Sequence, residues 1–240
     1  CLFGTFLAID LILFYVFWVA GLLPLLLMIS IWGTKQRSEA ALKLFLYNLL
    51  GSVILLLAIL IIYPQVGTFN MVDAAAGHPF STGEQTTVAA LVFGALFVAF
   101  AIRLPCFPAH TWLIDAQSEA HTTTSIAIGG AFLATGGYGL IRIALPLFPE
   151  AFARFSLEIP VIPILAVLSI VYGALICLAQ QNLKRLVAYT SVVHMGFVTL
   201  GVSAAAAGYA TLDDPITWDA ANAALNGAAM QLIAGGLISG

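Results

Sequence analysis

Histidines set in apolar sequence are the residues of this chain best suited to chemistry. His194 stands in SVVHMGF and His110 in PAHTW. Imidazole titrates near neutrality, so both are candidate proton carriers. Arg103 precedes His110 by seven residues and closes an uncharged run. A guanidinium keeps its proton at any accessible pH, so it can attract or repel a proton but cannot pass one on. Asp115 and Glu119 are spaced i, i+4 and would share a helix face, as would Gln117 and His121. The two acids are candidates for a proton entry. Lys184 heads LKRLVAYTSVVHMGFV, nearly three helical turns before His194, with the hydroxyls of Tyr189, Thr190 and Ser191 between them as a candidate wire.

Each of these has a plainer reading. Arg103 would snorkel to an interface, and the histidines would be neutral and internally satisfied. The acids would be a solvated helix start, and Lys184–Arg185 a positive-inside anchor.

These side chains need elements to hold them. Pro105 and Pro108 follow Arg103 and break any helix carrying it. Broken helices with ionisable groups at membrane depth occur where charges or solutes move. The 240 residues are 62% hydrophobic and 8% charged, against roughly 25% charged in soluble domains. Several near-uncharged runs approach the ~20 residues that cross a bilayer. The expectation is an all-α membrane protein: one domain, a polytopic bundle of about six or seven transmembrane helices, at least one of them discontinuous.

Leu2–Ile9 reads as the tail of a spanning helix. Spans follow at Leu11–Ser30 (kinked at Pro24), Ala40–Tyr63, Thr86–Ile102, Ile126–Leu145, Val161–Ala179 and Leu186–Ala207, and Ala220–Gly240 begins a last helix and stops inside it. Pro64–Gln85 reads as a loop with Asp73 and Glu84, and a late loop holds Asp213, Asp214 and Asp219. LFPEAFARFSLEIP is an amphipathic connection. Alternation puts Lys35, Arg37, Lys43, Arg103, Lys184 and Arg185 on one face, the cytoplasmic side or its equivalent. No basic patch exists, so the net charge of −3 gives no sign of nucleic acid and none is expected as a partner, whereas membrane lipid is the expected surround. Cys1, Cys106 and Cys177 are scattered without CxxC or CxxH spacing, which speaks against a disulfide framework or metal site. Nothing indicates the two facing histidines that bis-histidine haem needs. The chain opens without a signal peptide and reads as the interior of a longer protein.

DLILFYVFWVAGLLPLLLMISIWG, RLPCFPAHTWLIDAQSEAH, GGYGLIRIALPLFPEA, NLKRLVAYTSVVHMGFV and NGAAMQLIAGGLISG, in that order, resemble successive helices of the antiporter-like membrane subunits of complex I. The likeness is to the chain 4 or subunit M family of NADH-quinone oxidoreductase. It implies a middle block of a fourteen-helix fold that takes part in proton translocation coupled to quinone reduction. It also implies further antiporter-like subunits as neighbours, and a mitochondrial inner or bacterial plasma membrane ahead of a thylakoid. No cofactor is expected on this chain: NADH, FMN, iron–sulfur clusters and quinone would sit on other subunits.

The family's pattern is met at His110, Asp115, Lys184 and His194. It is broken where the family has glutamate (here Val19), lysine (Arg103 and Ala134) and histidine (Gly235), and WLPDAH becomes WLIDAQ. These departures imply that lysine-based proton transfer is weakened or lost while the fold is kept. The alternatives are a cation/proton antiporter or membrane-bound hydrogenase subunit of the same superfamily, or a structural scaffold of the membrane arm.

Overall fold

A computed structural model describes residues 1–76, 86–210 and 215–239; Glu84, Asp213 and Asp214 lie outside them. Among the described residues the regular structure is helical. The elements are α1 (Leu2–Leu7), α2 (Leu11–Ala20), α3 (Leu22–Trp32), α4 (Arg37–Val66), α5 (Met71–Ala76), α6 (Thr86–Arg103) and α7 (Thr111–Glu119). They continue as α8 (Thr122–Leu147), α9 (Pro149–Leu157), α10 (Val161–Ala179), α11 (Leu183–Ala210) and α12 (Pro215–Ser239). Five helical stretches are long and apolar enough to cross a membrane: Leu11–Trp32, Arg37–Val66, Thr122–Leu147, Val161–Ala179 and Leu183–Tyr209, with Thr87–Arg103 as a shorter apolar helix. The exposed side chains are themselves apolar: Ile164, Leu168, Val171 and Leu175 lie on the outside of α10. That is the arrangement expected when lipid is the solvent.

The kink in the first span falls at Gly21, where α2 gives way to α3. Pro24 lacks the N–H that the Ala20 carbonyl would accept and its ring crowds that carbonyl, so the helix opens one turn upstream of the proline. Asp10 caps α2 by accepting from the Ile12 and Leu13 amides at 2.8 and 3.1 Å. Beside this cap, the Asp10 backbone forms a single bridge with Asn70.

The loop expected from Pro64 is a helix in part. α4 runs through Pro64 to Val66 and stops at Gly67, whose φ of 76° is a left-handed end. Met71–Ala76 then forms α5. α4 survives Pro64 because the proline stands in its last turn, where few bonds remain to lose. The amphipathic connection is α9, with Phe152 and Ala153 buried.

α8 is not regular. Ile128–Phe132 and Leu140–Ala144 are π-helical turns. It packs closely on the end of α6: a side-chain carbon at Gly136 would lie 3.1 Å from the Leu104 nitrogen and 3.2 Å from the Phe100 oxygen. Only glycine allows that approach without displacement.

Candidate functional site

The break between α6 and α7 is satisfied bond by bond. Pro105 cannot donate to the Ala101 carbonyl, and the Cys106 amide does so instead, at 3.0 Å. The Ile102 carbonyl, released by that shift, accepts the Trp112 indole N–H at 2.9 Å. The Phe107 amide donates to Ser169 Oγ on α10 at 2.8 Å, and the following Phe107–Pro108 peptide is cis. Each of these groups would cost several kcal/mol if left bare in hydrocarbon. Cys106 is buried with its Sγ 3.4 Å from Thr199 Oγ1 on α11.

α7 continues past the break alongside α4. Lys43 Nζ meets Asp115 Oδ2 at 2.5 Å, and one turn along α4 the Tyr47 hydroxyl accepts from Thr111 at 3.2 Å. Another turn on, Gly51 packs against Ile102 of α6. Ser52, midway along α4, accepts the Trp18 indole N–H at 3.2 Å. This register places Arg103, which donates to the Trp18 carbonyl at 3.2 Å, near mid-height of the bundle.

Arg103 is 1% exposed, so it neither snorkels nor belongs with the basic loops of one face. Its guanidinium carbon lies 3.6 Å from the Trp18 ring centre and 4.1 Å from that of Phe132. Thr135 Oγ1 is 3.4 Å from its second nitrogen, and Nε has no partner. No carboxylate pairs with it among the described residues. A desolvated cation–π contact is worth about 2 kcal/mol. Two such contacts are comparable with the ~2.5–3.5 kcal/mol insertion cost of a central arginine. Aromatic faces therefore offset what a carboxylate would otherwise balance. Val19, next to Trp18, is a partly buried apolar residue packed on the core.

The other charged groups hold α7 at its far end. Of the basic residues of the expected face, Lys43, Lys184 and Arg185 stand there. Glu119 Oε2 accepts from the Thr34 hydroxyl and from the Gln36 amide, the latter at 3.0 Å. The Thr34 hydroxyl, first, and the Gln36 amide hold the Glu119 carboxyl below its ordinary range, with smaller help from Arg185 and Lys184. Lys184 Nζ donates to the Ala120 carbonyl at 2.7 Å. Asp115 and Glu119 open with Glu39, Lys43 and Arg185 on one polar cleft of about 220 Å³.

Thr190 and Ser191 both donate to the Val187 carbonyl of their own helix rather than toward Lys184 or His194; hydroxyls in helices prefer this local bond. His121 lies beyond the end of α7, exposed, while Gln117 is fully buried with no partner for its amide.

His110 is 3% exposed and packed between Phe107, Tyr172 and Tyr189 at ring-centre distances of 5.9, 5.1 and 6.4 Å. Its Nδ1 has no partner. Five residues beyond Tyr189, His194 places Nδ1 2.6 Å from the Gln231 amide nitrogen of α12. With Nδ1 accepting, the ring proton sits on Nε2. A side-chain carbon at Gly235 would lie 3.1 Å from His194 Cβ. Ala134 lines an apolar cleft of about 480 Å³ with Phe6, Gly130, Leu232 and Gly236.

Sequence reasoning missed Lys43 as the partner of Asp115, Gln231 as the partner of His194, and Trp18, Phe132 and Ser169 at the break. Of these only Lys43, a charge inside a span, carried a signal.

The chain matches the family described as NADH:quinone oxidoreductase/Mrp antiporter, TM, over residues 8–214. It is 40% identical over 248 residues to NADH-quinone oxidoreductase subunit M of Rhodobacter capsulatus, covering 99% of this chain and 44% of the relative. NAD(P)H-quinone oxidoreductase chain 4 2 of Thermosynechococcus vestitus is 41% identical, with 98% and 40% covered. The chain thus spans less than half the length of these relatives. Among solved structures, a chain of respiratory complex I from Thermus thermophilus superposes with a TM-score of 0.74 at 33% identity, over 98% of this chain and 48% of that one. A chain of the Mrp complex from Dietzia sp. shares the fold, with a TM-score of 0.73 at 21% identity. With the discontinuous helix, the long spans and a family match over most of its length, the chain belongs to the NADH:quinone oxidoreductase/Mrp antiporter transmembrane family.

Proposed function

We propose that the chain is part of an antiporter-like membrane-arm subunit of a complex I-type NADH:quinone oxidoreductase. In this reading it takes part in proton translocation coupled to quinone reduction in a bacterial plasma membrane. The supporting observation is a set of titratable groups at successive positions inside an apolar bundle. Lys43–Asp115 stand at the polar cleft, His110 packs on Tyr189, and His194 follows on the same helix with its Gln231 partner. Redox cofactors and quinone belong to other subunits, and further antiporter-like subunits are its neighbours. Names of relatives favour this over the antiporter or hydrogenase alternatives.

Two features favour weakened lysine-based transfer. Arg103 is balanced by rings rather than by an acid, and Ala134 stands in an apolar cleft. The test is NADH-driven proton uptake by the assembled complex in vesicles. His194→Leu is expected to lower protons moved per NADH, and unchanged stoichiometry argues for the scaffold reading. Val19→Glu with Arg103→Lys is expected to raise stoichiometry; no change would count against weakened transfer.

A further inference from the structure

Arg103 is a buried, permanent cation whose guanidinium lies over two aromatic rings. The two rings are themselves braced. The Trp18 indole is tied to Ser52, whose hydroxyl donates to the Asn48 carbonyl at 2.7 Å. Phe132 stands edge-to-face with Trp112 at 6.1 Å, and Trp112 is tied to the Ile102 carbonyl. Trp18 cannot swing away without breaking its bond on α4, and Phe132 cannot without losing its contact with Trp112 at the helix break. The planar fork suits this stacking, and an arginine so placed cannot be neutralised by losing its proton.

We propose that Trp18 and Phe132 are positioning residues that hold this charge at the centre of the bundle, and that Arg103 so held is an electrostatic barrier sealing the route past the α6–α7 break against protons and other cations. Fixed positive groups in narrow passages exclude cations in this way. The inference rests on the reading of the bundle as part of a proton-translocating subunit.

The experiment is passive proton leak into vesicles carrying the assembled complex, without NADH, driven by a potassium diffusion potential and read with an internal pH dye. Wild type and Arg103→Lys, which keeps the charge, are expected to be tight. Arg103→Met is expected to leak roughly tenfold faster, about 1.4 kcal/mol of barrier. Phe132→Leu, which keeps the charge and loses one ring of the clamp, is expected to leak as well. Combined with Arg103→Met it should add nothing further, whereas a merely structural role for Phe132 would add its own leak. Arg103→Met vesicles as tight as wild type overturn the proposal, as does an additive double variant. If Arg103→Met fails to assemble, Phe132→Leu decides: a tight vesicle overturns the barrier and a leaky one supports it. NADH-driven uptake on the same wild-type vesicles reads the functional proposal separately, so the two can fail independently.

Discussion

Gln231 places its amide nitrogen 2.6 Å from Nδ1 of His194 across the contact of α11 and α12. One turn further on, Gly235 leaves its backbone against the same histidine. The partner of the mid-bundle imidazole therefore comes from the helix face where the resembled family carries a second histidine.

Gln231→Leu removes the donor that selects the tautomer of His194. On the proposed function, protons moved per NADH are expected to fall while NADH oxidation continues. Gly235→His is not expected to restore transfer, because its first side-chain carbon would lie 3.1 Å from His194 Cβ and force that side chain to shift. Vesicle proton uptake checks both variants.

Asp115→Asn breaks the pair with Lys43, whose partners are 38% and 37% exposed. Solvent screens a pair this open, so the expected loss is below about 1 kcal/mol. The assembled complex should lose little thermal stability. A large drop would show that the pair works as a buried one.

Ser169→Ala orphans the Phe107 amide at the break. Leaving a buried donor bare costs about 1–3 kcal/mol. Hydrogen exchange at 104–110 is expected to accelerate, while that of α12 stays unchanged. Equal acceleration throughout would mean global destabilisation instead.

Glu119 responds to acid in a definite direction. Its carboxyl is held below the ordinary range chiefly by the Thr34 hydroxyl. A carboxyl depressed on folding contributes stability above its unfolded value, and that contribution is lost as pH falls through the depressed one. Exchange protection of the Gln36 amide, which donates to Glu119, should persist at neutrality and fade below the normal glutamate range. Glu119→Gln should abolish that pH dependence.

Among the described residues the sequence patterns place the five long apolar helices and the break, because long apolar runs and paired prolines act locally. Arg103 was singled out from the sequence, yet its surroundings were not: Trp18 and Phe132 come from α2 and α8, far apart in the chain, and look like ordinary apolar residues. Thr190 and Ser191 donate to Val187 rather than along the line from Lys184 to His194 for a local reason, the carbonyl of the preceding turn being within reach of each hydroxyl. Lys43 reads from the sequence only as one of the basic residues of one face, and the register of α7 along α4 brings Asp115 to it.

Phe132 is the last residue of the first π-helical turn of α8. Such a turn carries one more residue than an α-turn, and each residue rotates a helix by about 100°. Converting this turn to α geometry would turn Phe132 off the guanidinium by about that angle. The covering of Arg103 is thus a matter of helical phase: a single-residue slip in α8 uncovers the charge at the break and disturbs Thr135, whose hydroxyl is bonded to the Phe132 carbonyl, along with it.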